Sequence, residues 1–300
     1  MSLADIWLFL QQGILSGLVT GSVYALLAVA VVIIFKATDV PNFAAGEIFM
    51  LGGYAALFMI VALHWSYLLV IPLTLIVVSA VCAFFQRVVM ERVVMNKGVG
   101  VQLVIATLGL AYVLKGLVRQ TGLGDVPRSL PPLVSTDTVM IGQAILTRLD
   151  VMIFVVAIVV MLLLFFMFNY TRIGKAMRAV GMNPKAAQIV GVNLQTMRMA
   201  VWGLAGLISA VSAILITPKI LMTPDIGHIV ILAFAAAIVG GISSVPGAIV
   251  GGFIIGIAEN LVGLFISTNA IVVAPFLAIM IVLVLRPQGI LGGSLQVKKV

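Results

Sequence analysis

Apolar runs long enough to cross a lipid bilayer recur from one end of this chain to the other, and no other feature limits the fold so severely. A hydrocarbon core of about 30 Å takes roughly 20 helical residues to cross. Inside it every backbone N–H and C=O must be satisfied within the protein, which leaves only helices or a closed barrel. The runs are continuous rather than alternating, so the expectation is an all-α polytopic membrane protein. Composition agrees: 63% of the 300 residues are apolar and 9% charged, against about 25% charged in a soluble domain. A soluble fold is excluded.

The runs fall at about residues 9–35, 43–63, 68–85, 99–114, 151–168, 199–216, 228–241, 247–266 and 270–285. The seventh, at about 21 Å of helix, is too short for a full crossing. The reading is therefore nine crossings, or eight to ten transmembrane helices according to how short or broken spans are counted, within one transmembrane domain over residues 1–300. Two polar interruptions stand out. Residues 119–150, with Gly122, Gly124, Pro127, Pro131 and Pro132, read as an ordered loop with a small hairpin. Residues 170–198 form a basic island, Thr171 to Arg198, with Arg172, Lys175, Arg178, Lys185 and Arg198 and no acid among them.

Orientation follows from the basic residues. Lys36, Arg87, Arg92, Lys97, the five of the island, Arg286, Lys298 and Lys299 fall on one side, and Lys115, Arg119, Arg128, Arg148 and Lys219 on the other. Because Lys and Arg collect in cytoplasmic loops, the island and the C-terminus are expected in the cytoplasm, and the N-terminus and the 119–150 loop outside. The same bias accounts for the net charge of +8 without nucleic acid. The N-terminus lacks the basic stretch of a signal peptide and reads as a retained first span. Cys82, the single cysteine, lies in an apolar run and reads as packing. His64, beside Trp65 and Tyr67, and His228 read as interfacial side chains too far apart for a metal site.

Within the island, Asn183-Pro184 is a helix-start signal: Asn accepts the orphan amides of a first turn, and Pro fits the first helical position. Gly191 supplies a stop. A short helix over about 184–190, outside the bilayer, is expected to touch a partner. Elsewhere Gly13, Gly17 and Gly21 recur every fourth residue, as do the pairs Gly247/Gly251 and Gly252/Gly256. Such smooth faces let helix backbones approach closely. With the nearby polar breaks, they also resemble an inverted internal repeat, where interrupted segments point toward a substrate path; ordinary packing produces the same glycines.

Charges within spans are costly, about 2.5–3.5 kcal/mol on insertion scales, and mark cavities or partners. Glu47 near the start of the second run and Glu259 beside Asn260 in the eighth are the candidates, either as pathway residues or, in the plainer alternative, with Glu47 at the headgroups and Glu259 pairing within the bundle. Asn42, followed by Phe43, Ala44, Ala45 and Gly46, either opens a helix and offers backbone polar groups to a substrate or acts as an N-cap. The nearest approach to a phosphate loop, Ile173-Gly174-Lys175-Ala176, lacks the earlier glycine and the following hydroxyl. No nucleophile–base set supports an enzyme, and any ATP-driven step needs a second chain.

The stretch Lys185-Ala186-Ala187-Gln188-Ile189-Val190-Gly191 resembles the cytoplasmic EAA-type loop of ABC importer permeases, with Lys185 where that loop has Glu. The flanking GKAMRAVGMNPKAAQIVGVN, the early PNFAAGEIFMLGGYAA, the late GGISSVPGAIVGG and the terminal LRPQGILG are similar to the branched-chain amino-acid importer permeases, H-type subunit. This implies an inner-membrane permease for branched-chain or related hydrophobic amino acids. It also implies a second permease, two cytoplasmic ATPases that bind ATP and Mg, and an extracytoplasmic binding protein. Asn183, Pro184, Lys185, Ala186, Ala187, Gln188 and Gly191 are then expected to dock on an ATPase. Ala45 stands where the family has His, which leaves urea, amides and other amino acids open as substrates. The alternatives of other classes are an ion-coupled secondary transporter and a passive channel.

Overall fold

The computed structural model describes residues 3–96, 100–124 and 126–292; Lys97, Lys298 and Lys299 of the charge count, and residue 125 of the 119–150 loop, lie outside them. The chain is an all-α membrane protein with one small hairpin. In order, α1 is Leu3–Thr38, and α2 is Ala45–Leu57, prolonged by a π-helical turn at Phe58–Ala62. α3 (Tyr67–Phe85) passes through a second π turn at Gln86–Met90 into α4 (Glu91–Met95), and α5 is Gly100–Gln120. Strands β1 (Thr138–Ile141) and β2 (Ala144–Thr147) pair antiparallel, with Thr138 opposite Thr147. Then come α6 (Arg148–Tyr170), α7 (Arg172–Met182), α8 (Pro184–Ile189) and α9 (Leu194–Ile216). A 3-10 turn at Ile226–His228 leads into α10 (Ile229–Gly240), followed by α11 (Val245–Phe265) and α12 (Ala274–Leu285).

Among the described residues, seven helical stretches are long and apolar enough to cross a membrane, and two shorter apolar helices, Ile226–Gly240 and Ala274–Leu285, bring the apolar elements to nine. Three boundaries differ from the sequence reading. Residues 86–95, expected as a loop, continue the third span to Met95. Their charges sit among Val88, Val89, Val93 and Val94 with no Gly or Pro to break the helix, and Glu91 reaches Arg198 of α9 at 3.7 Å. The island's charge is thus partly balanced from a distant segment. The fourth span runs past Leu114 to Gln120, with Lys115, Gly116 and Arg119 inside the helix. The first half of the island is also helical: Thr171 caps α7 by accepting the Gly174 amide at 3.1 Å.

The chain divides into two compact units. The first comprises Met1–Val32, Val134–Ile158 and Ile231–Val300. Here the two glycine faces meet: a Cβ on Gly17 would lie 2.6 Å from Ile257 Cα, on Gly21 2.9 Å from the Gly252 oxygen, and on Gly256 2.3 Å from Gly21 Cα. Gly13 of α1 faces Leu261 of α11. Gly247 and Gly251 lie on the face of α11 that meets α10, against the carbonyl oxygens of Gly240 and Ala236. Glycine lets these helices approach at backbone distance, where dispersion and weak polar contacts substitute for the missing hydrophobic drive. Gln12 exchanges two hydrogen bonds with the Ile145 backbone, of 3.0 and 2.9 Å, so the start of α1 and the hairpin lie on one side.

Two of the sequence motifs close the end of α10. Ser244 caps α11 by accepting the Gly247 amide at 3.1 Å, with Pro246 in its first turn. The amides of Ile290 and Leu291, in the terminal RPQGIL segment, donate to the Val239 and Gly240 oxygens, each at 2.9 Å. The last carbonyls of a helix have no intrahelical donor, so this tail provides one. Gly241 at φ +111° and Gly289 at φ +80° make the turns that only glycine adopts without strain.

The second unit comprises Ile33–Leu133 and Val159–Val230. Its core is α3 against α9, with the Phe85 and Trp202 ring centroids 5.4 Å apart. Cys82 is fully buried against Gly206. Gly52 of α2 lies against Ala210 and Ala213 of α9. At the end of α1, Gly181 of α7 abuts the Lys36 carbonyl, so the island lies beside that end of α1.

Candidate functional site

The second unit gathers four of the residues singled out in the sequence. α1 ends at Thr38, Asp39 follows with φ +55°, and the chain runs without helix through Val40, Pro41 and Asn42 before α2 starts. Asn42 is 1% exposed. Its Oδ1 accepts the Ala44 amide at 3.1 Å, and its Nδ2 has no hydrogen-bond partner. The Phe43 amide donates to Thr107 Oγ1 of α5 at 3.3 Å, while the Phe43 ring is half exposed. Asn42 therefore shapes the entry to α2 as an Asx turn, with Ala44 rather than Asn42 at the N-cap position.

Gly46 and Glu47 then meet a second interrupted segment. A Cβ on Gly46 would fall 2.0 Å from the Gly227 oxygen, and one on Gly227 would fall 2.5 Å from Glu47 Oε1. The backbones at 46 and 227 are in direct contact, and the Glu47 carboxylate lies over Gly227. Glu47 also accepts its own backbone amide, and Lys115 of α5 is the cation whose charge reaches it.

Residues 217–225, which carry the chain from α9 to Ile226, are anchored at three points. Thr217 donates to the Ala213 oxygen at 2.5 Å. Met222 and Arg128 exchange backbone hydrogen bonds of 2.8 and 3.3 Å. Asp225 lies 2.5 Å from Lys115 Nζ and 3.3 Å from an Arg119 nitrogen. The Lys115 hydrogen bond and charge, with Arg119 behind them, hold the exposed Asp225 carboxyl below its ordinary range. His228 bonds back to the Asp225 oxygen through Nδ1 at 2.9 Å, forming the turn before α10. Asp225 escaped the sequence reading because its partners are about a hundred residues distant; the only signal was an acid in a Pro-broken connector of a chain with 9 acids in all.

Glu259 and Asn260 belong to the first unit and stand apart from this cluster. Glu259 accepts the Tyr24 hydroxyl, and Asn260 Nδ2 donates to Thr20 Oγ1 and to the Gly256 oxygen, each at 2.9 Å. Both tie α11 to α1 beside the glycine contacts.

The short helix of the island is closed at both ends. Asn183 Oδ1 accepts the Ala186 amide at 3.0 Å with Pro184 in the first turn. At the other end Val192 donates to the Ala187 oxygen and Gly191 to the Gln188 oxygen, each at 3.0 Å, with Gly191 at φ +90°. This is the Schellman pattern, and a non-glycine residue is strained at that φ. Ala187 is 2% exposed and holds α8 down, whereas Ile189 and Val190 are 86% and 77% exposed. Lys185, Ala186 and Gln188 are exposed beside them. An apolar, solvent-facing end on so short a helix suits contact with another protein.

Comparison with known proteins gives this geometry its context. The family described as "Branched-chain amino acid transport system / permease component" matches residues 13–285. The permease LivH of Salmonella typhimurium is 31% identical, with 99% of this chain and 100% of that protein covered. LivH of Escherichia coli K12 is 32% identical, over 99% and 100%. BraD of Pseudomonas aeruginosa is 30% identical, over 99% of each. All three are called high-affinity branched-chain amino acid transport permease proteins. No solved structure gives a significant match. Matched from near its first span to its last, the chain belongs to the branched-chain amino-acid transport permease family and is an integral membrane permease component.

Proposed function

We propose that this permease is one half of an ATP-driven importer of branched-chain or related hydrophobic amino acids, paired with a second, related permease around a shared cavity. The observation that carries the reading is end-to-end similarity to permeases named for those substrates. Two ATPase subunits bind ATP and Mg and hydrolyse the nucleotide; this chain moves the substrate and carries no reaction of its own. An extracytoplasmic binding protein delivers the amino acid. α8 and its flanks, from Asn183 to Gly191, dock on an ATPase and carry its closure into α7 and α9. The basic-residue bias then sets α8 and the C-terminus in the cytoplasm of a bacterium, and the N-terminus and the hairpin outside its plasma membrane.

Purification of the tagged chain from its native membrane, followed by peptide identification, tests the assembly. A second permease, two ATPase copies and a periplasmic-type binding protein are expected to accompany it. Recovery of the chain alone, or in a homo-oligomer with ion-dependent uptake in ATP-depleted vesicles, contradicts the reading and favours a secondary transporter.

A further inference from the structure

In the second unit α7 bridges the ends of two spans. Gly174, in its first turn, packs so closely on α6 that a Cβ there would lie 2.2 Å from the Met167 oxygen. At its other end, a Cβ on Gly181 would lie 2.8 Å from the Lys36 oxygen of α1. The spans that carry these two contacts finish at Tyr170 and Thr38. α7 therefore lies along the membrane boundary instead of projecting from it.

Its two faces differ in what they offer. Gly174, Met177 and Val180 are buried, so the protein itself uses the apolar side. Arg172, Lys175 and Arg178, every third residue, are exposed on the other side together with Met182. Arg178 fixes the depth of that side: its Nη1 donates to Asn169 Oδ1 at 3.3 Å, which holds the guanidinium level with the last turn of α6. The same turn carries exposed Phe166 and Tyr170, with ring centroids 5.7 Å apart, and aromatic side chains collect at headgroup level. Arg178 is also the charge that reaches the half-buried Lys36. Two like charges within reach of each other are unfavourable unless an anion joins them. Among the described residues, none of Lys36, Arg172, Lys175 and Arg178 makes an ion pair.

We propose that α7 and the end of α1 bind the phosphate headgroup of an anionic phospholipid, through Arg178 and Lys36 with Arg172 and Lys175 beside them. Cations directly beside a span gain from anionic headgroups, and a guanidinium presents paired donors to phosphate oxygens. The inference rests on the chain being an integral membrane protein and not on the importer reading; on that reading the leaflet is the cytoplasmic one. An ATPase seated on α8 is the competing occupant of this face. The contacts of Gly174 with Met167 and of Arg178 with Asn169 favour lipid, because both hold α7 back at the depth of the span ends.

The test uses the full-length chain in phosphatidylcholine bilayers, with electron spin resonance of spin-labelled phosphatidylglycerol and phosphatidylcholine at the protein boundary. Wild type is expected to prefer phosphatidylglycerol by about fivefold, with the preference shrinking as salt rises from about 0.05 to 0.5 M. Replacing Arg172, Lys175 and Arg178 together by Gln is expected to bring the preference to about unity while the detergent unfolding midpoint and phosphatidylcholine association stay at wild-type values. Arg178→Lys, which keeps the charge, is expected to retain most of it. A wild type without preference overturns the proposal, as does a triple variant that keeps half or more of it; if that variant also fails to retain ATPase subunits, the face belongs to them. Loss of preference only together with a lowered midpoint overturns it too, and assigns these cations to holding α7 in place.

Discussion

A methyl group on residue 46 would lie 2.0 Å from the Gly227 oxygen, a distance no backbone tolerates. Gly46→Ala is therefore expected to separate the two interrupted spans, lower the detergent unfolding midpoint by the equivalent of about 1–3 kcal/mol and abolish uptake. Gly109→Ala in α5, where nothing lies within 4 Å, should leave the midpoint unchanged or raise it. Equal effects of the two substitutions would contradict the contact. Asp225 adds a prediction in pH. Its folded carboxyl titrates below the ordinary value near 4, so its tie to Lys115 and Arg119 is present above that value and fades as pH falls through the lowered one. Asp225→Asn should lower the midpoint at pH 7, and its difference from wild type should close below about pH 4; a difference constant from pH 7 to 3 would remove the charge from the explanation. The sequence made Asn42 and Glu47 legible because a polar side chain inside an oily run is conspicuous. It left Asp225 and the Glu91–Arg198 pair hidden, because ion pairing across separate segments leaves no local pattern.

Elements were legible where the chain carries its own punctuation. Asn183-Pro184 and Gly191 predicted α8 to within a residue, and the cap and Schellman bonds are the physical content of those letters. α7, with Arg172, Lys175 and Arg178, was missed because its charges read as a loop, and residues 86–95 were missed for the same reason: charge was taken for a break, and the helix runs through it. Asn183→Ala should weaken α8 by about 1 kcal/mol, and Gly191→Ala by about 1–2 kcal/mol. Both are expected to reduce ATP hydrolysis stimulated by loaded binding protein while leaving membrane insertion intact. Unchanged stimulation in the double variant would take α8 out of the coupling role. For the glycine faces, Gly252→Leu would drive a side chain into Ala25 of α1. A fall in the unfolding midpoint equivalent to about 1–3 kcal/mol is expected, and none would mean that α1 and α11 do not depend on close approach.

At the scale of the whole molecule, hydropathy fixed the class and almost the number of apolar elements, since each span must satisfy its backbone in isolation. What hydropathy could not assign was which glycine face meets which. The faces near the two ends of the chain meet each other in the first unit, and the four remote motifs divide between the two units. On the importer reading proposed above, the permease depends on partners for energy and for delivery. The most direct measurement is leucine uptake into proteoliposomes holding the purified assembly and loaded binding protein, with all ion gradients clamped and ATP supplied to the ATPase side. Uptake that requires ATP and is lost when Ala187 and Gly191 are both replaced by Glu is the predicted result; uptake that persists without ATP, or survives that replacement, would contradict an importer coupled through α8.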